Sequence, residues 1–373
     1  MKTKKGIRNT VIVNGANGYV ASNFINHLLK QQYMVIALVR SNGIDPEERM
    51  NDVLVYLNDD INVDTTNLEV YDYSLLDKDF NINENILKSI FSSKVDYFHF
   101  AASLKYDEKS IDEIFSTNVD GVENSIKVFS KYATDNSRFF YIGTAYSCGR
   151  FNSIFEEKFY KNQGISAFRN YYEQSKRFAE NIVKENIQKK GLNAHIIRLS
   201  QVVGNHVTSV TKTEYGIFDF AKRIYSLAAR YPNEMIRVHV DPDATQNLIP
   251  IDTVTEHLTK MMEETEIPEI MNFVSKSPVR NSFIIDTLNQ LVPIQIIPEK
   301  TLERKDMNSI ERMISAGMSF TESYASTNIL FDTQLRDRFM EYTETGPDNN
   351  SVAKMLEYFI ETLSEKKKRV EAA

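Results

Sequence analysis

The stretch Thr10-Val11-Ile12-Val13-Asn14-Gly15-Ala16-Asn17-Gly18-Tyr19-Val20-Ala21 decides the fold. A β-branched apolar run enters a turn with glycines three apart. An amphipathic stretch with Phe24, Ile25, Leu28 and Leu29 follows. That order predicts a strand, a phosphate-cradling turn and a helix. Gly15 can take backbone angles closed to other residues, and Gly18 lets the main chain approach a pyrophosphate. Ala21 is small enough for close helix–strand packing. The turn residues Asn17, Tyr19 and Val20 complete the expected cofactor seat. The plain alternative is a tight βα turn that holds no ligand.

Outward from this turn, apolar strand-like runs alternate with helical ones. Strands are expected at 34–39, 68–71, 96–101, 139–142 and 195–199, and helices at 20–32, 108–133 and 170–190. Such alternation predicts an α/β fold, a doubly wound parallel sheet of Rossmann type. Past Gly204 a polar stretch at 205–215 leads into an amphipathic helix at 217–230. A short return segment, 247–252, a helix at 253–264 and a strand at 269–274 come next. This suggests a nucleotide-binding domain from 1–204 and 246–275. A smaller, discontinuous substrate lobe then comes from 205–245 and 276–373.

Composition narrows the class. The 373 residues are 42% hydrophobic and 25% charged, values of an ordinary soluble protein. A net charge of −7 argues against nucleic acid as a partner. The single cysteine, Cys148, excludes an internal disulfide framework and any multi-cysteine metal site. The basic start, Met1 to Lys5, is followed by too short an apolar run for a signal peptide, and no segment is apolar enough to span a membrane. A cytoplasmic chain is expected, with monomer and homodimer both open. The basic run Lys366 to Arg369 is read as a solvated helix end.

Two residues carry proton chemistry. Tyr172 and Lys176 lie four apart on the expected helix at 170–190, so they share a face. A neighbouring ammonium favours the phenolate and should lower the Tyr172 pKa toward the working range. The strand at 139–142 runs on into Gly143-Thr144, putting the Thr144 hydroxyl at the edge where open α/β sheets bind ligands. Arg40 ends the second strand where NAD readers usually place a carboxylate, and an arginine there suits a 2′-phosphate. NADPH is therefore expected ahead of NADH, against the alternative of a solvated strand-end charge. Asp72 and Tyr73 are placed beside the adenine. The six histidines show no ligand spacing, so no metal is expected. His99 reads as a core residue and Cys148 as an idle thiol.

Taken in order, the glycine turn, the strand end at Ala101-Ala102, Asn118-Val-Asp-Gly121, Thr144 and Tyr172-Glu-Gln-Ser-Lys176 resemble the extended short-chain dehydrogenase/reductase superfamily over residues 8–275. Three stretches are most similar to its branch of fatty acyl reductases and terminal thioester-reductase domains. These are Phe98-His-Phe-Ala-Ala-Ser-Leu-Lys-Tyr-Asp-Glu108, Tyr141-Ile-Gly-Thr-Ala-Tyr-Ser-Cys-Gly-Arg150 with Glu156-Glu-Lys158, and Arg198-Leu-Ser-Gln-Val-Val-Gly204. Ile329-Leu-Phe-Asp-Thr333 echoes the C-terminal lobe of those reductases. The resemblance implies Gly15, Gly18 and Ala21 at the pyrophosphate, a catalytic set of Thr144, Tyr172 and Lys176, and Asn118 in support. It further implies reduction of an acyl thioester, bound to CoA or a carrier protein, to aldehyde or alcohol. A free ketone, aldehyde or secondary alcohol substrate is the second reading, and a catalytically silent NADP-sensing regulator the third. Gly143 stands where such reductases usually have serine, and Leu199 where they usually have proline. No carrier region is read in the chain, so any acyl group would have to be delivered by a separate carrier protein or as a free thioester.

Overall fold

The computed structural model describes residues 10–59, 61–317, 324–340 and 346–372. Thirteen strands are present among them: β1 (Thr10–Asn14), β2 (Val35–Val39), β3 (Leu68–Asp72), β4 (Val95–His99), β5 (Arg138–Thr144), β6 (Ala194–Leu199), β7 (Gln201–Val203), β8 (Met235–Val238), β9 (Thr245–Gln246), β10 (Leu248–Pro250), β11 (Ile270–Phe273), β12 (Val279–Arg280) and β13 (Gln295–Pro298). Seven form one all-parallel sheet in the order β11-β6-β5-β4-β1-β2-β3. The order reverses between β1 and β4, so a crevice opens at the carboxyl ends of those strands. Gly15 stands at that edge.

The strands are apolar on both faces because helices cover both. Val11 and Val13 face a cluster with Phe24, Leu28, Phe98, Phe140 and Met271, under α1 (Tyr19–Lys30) and α8 (Ile251–Glu263). Ile12 faces the opposite cluster with Tyr97, Phe139, Phe129 and Val183. That second cluster is closed by α3 (Glu84–Ile90), α5 (Gly121–Tyr132) and α6 (Tyr171–Lys190). Helix α2 (Pro46–Leu57) follows Asp45, whose side chain accepts from the Glu47 and Glu48 amides.

The stretch expected as one helix at 108–133 is interrupted. Helix α4 (Ile111–Phe115) passes through a π turn at Ser116–Asp120 before α5 begins. Asn118, on the π turn, points inward. Its Oδ1 accepts from the Ser103 amide at 2.7 Å, and its Nδ2 donates to the Ser175 hydroxyl at 2.9 Å.

A third apolar cluster, with Phe218, Ile224, Ile236, Leu288, Met355 and Phe359, lies beside the sheet. It is built by α7 (Ile217–Arg230), α9 (Asn281–Leu291), α10 (Ser309–Gly317), β8 and β13, and α12 (Asn349–Ala372). The short α11 (Gln334–Met340) returns instead to the main sheet. The route back is a clasp between two stretches far apart in sequence. Phe155 pairs with Phe331, the Phe155 amide donates to the Leu330 carbonyl at 2.8 Å, and the Asp332 amide donates to the Phe155 carbonyl at 3.0 Å. Glu157, 6% exposed, accepts from the Asn272 amide at 2.8 Å and from the Leu335 amide at the start of α11 at 2.5 Å. Burial outweighs these bonds and pushes its pKa up to about 7. The 155–157 segment and the 330–335 segment are thereby joined. Lys366, Lys367 and Lys368 are exposed on the last turns of α12. No helix among the described residues is long and apolar enough to cross a membrane.

Candidate active site at the carboxyl edge of the sheet

Asn14 ends β1 and anchors the glycine turn. Its Oδ1 accepts from the Phe100 and Ala101 amides at 2.9 and 3.1 Å, so the turn lies directly on the Ala101-Ala102 strand end. Its Nδ2 donates to the Tyr97 hydroxyl at 3.0 Å and to His99 Nδ1 at 2.9 Å. His99 sits in the core as expected, but its Nε2 has no hydrogen-bond partner among the described residues. Burial and the nearby Lys176 hold its pKa down at about 3, so the ring is neutral.

Gly15 has φ +62°, and a Cβ there would lie 2.8 Å from both Ala101 Cα and N. Glycine is required on both counts. The Gly15 amide donates to the Tyr73 hydroxyl at 3.1 Å, which fixes Tyr73 beneath the turn. Gly18 is the N-cap of α1, with no side-chain cap and no acidic residue in the first turn. The first-turn N–H groups, those of Tyr19 and Val20 among them, form a positive helix end without a side-chain acceptor, the chemistry that suits a pyrophosphate. The residues present thus fit a dinucleotide. The Tyr19 phenol turns the other way and donates to the Val203 carbonyl at 2.9 Å, leaving its backbone to face the turn.

At the end of β2, Arg40 is exposed and Asp72 stands opposite its neighbour Val39 in the β2–β3 register. The Asp72 carboxylate accepts from the Ser41 amide at 2.8 Å. Arg49 on α2 donates to the Arg40 carbonyl and, at 3.3 Å, to the Ser41 carbonyl. Sequence reading passed over Arg49. The Asp45-Pro46 helix start, which puts residue 49 in the first turn of α2, was the signal that pointed to it.

The chemical groups converge from three elements. Thr144, at the end of β5 and 6% exposed, donates to the Leu199 carbonyl at 3.3 Å and accepts from the Tyr146 amide. Its hydroxyl lies close enough to the Tyr172 phenol to favour the ionised form. Lys176, one turn on, is 3% exposed, donates to the Ile142 carbonyl at 3.2 Å and lies 4.9 Å from the Tyr141 ring centre. The structure brings Thr144, Tyr172 and Lys176 together, with Asn118 behind α6 through Ser175.

One expectation needs correcting. The Tyr172 pKa is raised rather than lowered, because burial penalises the phenolate and the Glu173 carboxylate adds to that, while Thr144 alone opposes them. Lys176 is engaged with the Ile142 carbonyl and the Tyr141 ring, and burial lowers its own pKa to about 8. Cys148 is buried, with its pKa pushed up to about 12, chiefly by burial, which makes a poor nucleophile. Tyr324 beside Glu173 escaped the sequence reading, and Glu157 stood there only as part of the 156–158 stretch, without its role in the clasp. Both act through contacts far along the chain that no local motif announces.

Several solved structures share this fold. The terminal R domain from the myxalamid PKS-NRPS biosynthetic pathway matches with a TM-score of 0.77 at 16% identity, covering 97% of this chain and 93% of that one. A thiolation-reductase di-domain from an archaeal non-ribosomal peptide synthetase matches with a TM-score of 0.72 at 19% identity, over 96% of this chain and 76% of that one. UDP-glucuronic acid 4-epimerase from Bacillus cereus, in complex with NAD, matches at 0.65 and 15% identity, over 94% and 96%. No curated protein sequence matches the chain. The family model described as male sterility protein matches residues 13–258, well over half of the chain. With the glycine turn, the parallel sheet and the Thr–Tyr–Lys constellation in place, the chain belongs to the male sterility protein family, within the extended short-chain dehydrogenase/reductases, and is an NAD(P)-dependent oxidoreductase.

Proposed function

We propose that this protein is an NADPH-dependent reductase of acyl thioesters, presented by a carrier protein or as CoA esters, yielding an aldehyde or an alcohol. The observation that carries this is the convergence of Thr144, Tyr172 and Lys176 at the sheet edge that also holds the Gly15 turn. The similarity in fold to two reductase domains of peptide and polyketide assembly lines, at higher TM-scores than the epimerase, supports the thioester as substrate.

The dinucleotide would be held by the Gly15–Val20 backbone at the pyrophosphate, by Ala101 and Ala102 along its path, and by Arg40 with Arg49 at the 2′-phosphate. Asp72 and Tyr73 border the adenosine end. When bound, NADPH supplies the hydride. Thr144 and Tyr172 hold the substrate carbonyl oxygen between two hydroxyls and so favour the charge that gathers on it. Tyr172 gives that oxygen a proton, and its raised pKa keeps it protonated and ready at neutral pH. Lys176, held by the Ile142 carbonyl, would bind the nicotinamide ribose. From a thioester, the product of this step is a hemithioacetal that expels a thiol and leaves an aldehyde, and a second round gives an alcohol. The cluster of α7, α9 and α12 serves as the substrate lobe, drawn from 205–245 and 276–373 apart from α11, which packs on the main sheet.

The test follows NADPH consumption by purified protein against acyl-CoA thioesters, carrier-loaded acyl groups, aldehydes and ketones. Turnover of thioesters ahead of free carbonyls is the expected result. Preference for a ketone would overturn the substrate, and tight NADPH binding with no turnover of any compound would overturn the reductase.

A further inference from the structure

Tyr324 enters the site from the C-terminal segment, 151 residues past its partner Glu173 on the helix it meets. Its hydroxyl donates to Glu173 Oε1 at 2.6 Å and accepts from Asn170 Nδ2 at 3.2 Å. Asn170 is the N-cap of α6, where its Oδ1 takes the Glu173 amide at 2.9 Å. Glu173 is fully buried beside Tyr172, and Arg169 supports it from the preceding loop at 3.2 Å. The first turn of the catalytic helix is thus held by a phenol that belongs to another part of the chain. The same ring stands edge-on to Tyr146, centroids 5.0 Å apart at 67°. Tyr146 lies two residues past Thr144, and its amide donates to the Thr144 hydroxyl at 3.2 Å. One side chain therefore touches both elements that carry the hydroxyls at the carbonyl oxygen.

We propose that Tyr324 is a positioning residue for reduction, setting the spacing between Thr144 and Tyr172 by bracing α6 through Glu173 and Asn170 and the β5 end through Tyr146. This rests on the reductase reading above. Helix caps and buried carboxylates hold a helix end only while their partners are in place. Two hydroxyls that share one oxygen lose much of their effect when either moves by about 1 Å.

Tyr324→Phe keeps the ring against Tyr146 and removes only the hydroxyl. Amide hydrogen exchange in residues 171–175 is expected to accelerate by about tenfold, with residues 180–190 unchanged. The kcat for thioester reduction is expected to fall by about tenfold, with the NADPH dissociation constant held within about twofold. Tyr324→Leu, which also removes the ring, should deepen the loss in kcat. Exchange at 171–175 equal to wild type overturns the proposal. So does accelerated exchange with unchanged kcat, which would make the bond structural only. A wild-type protein that binds NADPH and reduces nothing would sink the reductase reading and with it the positioning role, whereas faster exchange at 171–175 would still show that Tyr324 braces the start of α6.

Discussion

At the cofactor end of the site, Asn14 satisfies two strand-end amides, a tyrosine and a histidine, all within a few residues of the strand edges. Toward the C-terminal segment, Ser200 Oγ, Gln201 Nε2, Ser326 Oγ and Thr327 Oγ1 are buried without a hydrogen-bond partner among the described residues. Its order comes instead from contacts that span long stretches of chain: Glu157 to Leu335, Phe155 to Phe331 and Tyr324 to Glu173. A turn whose anchors all lie on adjacent strands can be finished by the sheet itself. Buried polar groups without partners are costly, and they are tolerated where a ligand is to supply what the protein lacks. The difference is one of range: the glycine turn is held by neighbouring strand ends, the other end by contacts that cross the chain.

The strongest way to break this comparison is at the seam between the ends. Tyr172→Phe removes the proposed acid and should lower kcat by about 10²–10⁴-fold while NADPH affinity, read by fluorescence, stays near wild type. Unchanged turnover would remove Tyr172 from the chemistry. At the cofactor end, Gly15→Ala forces a methyl against the Ala101 backbone at positive φ. A stability loss of about 1–3 kcal/mol by thermal melting, together with weakened NADPH binding, is expected. If melting and binding both match wild type, the cradle is not fixed. Arg40→Ala should raise the KM for NADPH by about tenfold with little change for NADH, since a charge-assisted phosphate contact is lost for one cofactor only. Equal changes for both would refute the 2′-phosphate role.

The ends should also answer pH in opposite senses. Glu157 titrates near 7 in the folded chain against an ordinary value of 4.5, so the native state keeps a proton that the unfolded chain gives up. Its contribution is full below about 4.5 and is lost as pH rises through about 7. His99, held down at about 3 against 6.5, contributes above about 6.5 and loses that contribution as pH falls toward 3. Glu157→Gln should therefore narrow the gap in melting temperature to wild type as pH goes from 5 to 8, and a constant gap would show that Glu157 does not titrate there. The smallest effect is assigned to Cys148→Ala, with kcat within about twofold of wild type, because a thiol with a pKa near 12 does no chemistry at neutral pH.

The sheet was legible because parallel strands covered on both faces are written as short apolar runs, as in Val11–Val13 and Val35–Val39. The glycine turn was legible because backbone angle and close approach leave glycine as the residue that fits at 15. Asn14 read only as a break in an apolar run, yet it is the anchor of the cradle. Its partners, Tyr97, His99 and the Ala101 amide, come from the neighbouring strand, which local pattern does not show. Tyr324 and Glu157 were illegible for the same reason at longer range. The Tyr172–Lys176 spacing correctly put both on one face, but spacing says nothing about desolvation, which reversed the expected shift.

The π turn at Ser116–Asp120 has a mechanical consequence. The wider turn lets Asn118 face inward, where one amide group bolts the segment at Ser103 to the second turn of the catalytic helix at Ser175. Sheet edge and helix are thereby cross-tied into one stiff jaw. The clasp at Glu157 and the brace at Tyr324 tie the C-terminal segment onto the same frame, so the start of the catalytic helix is restrained from both sides.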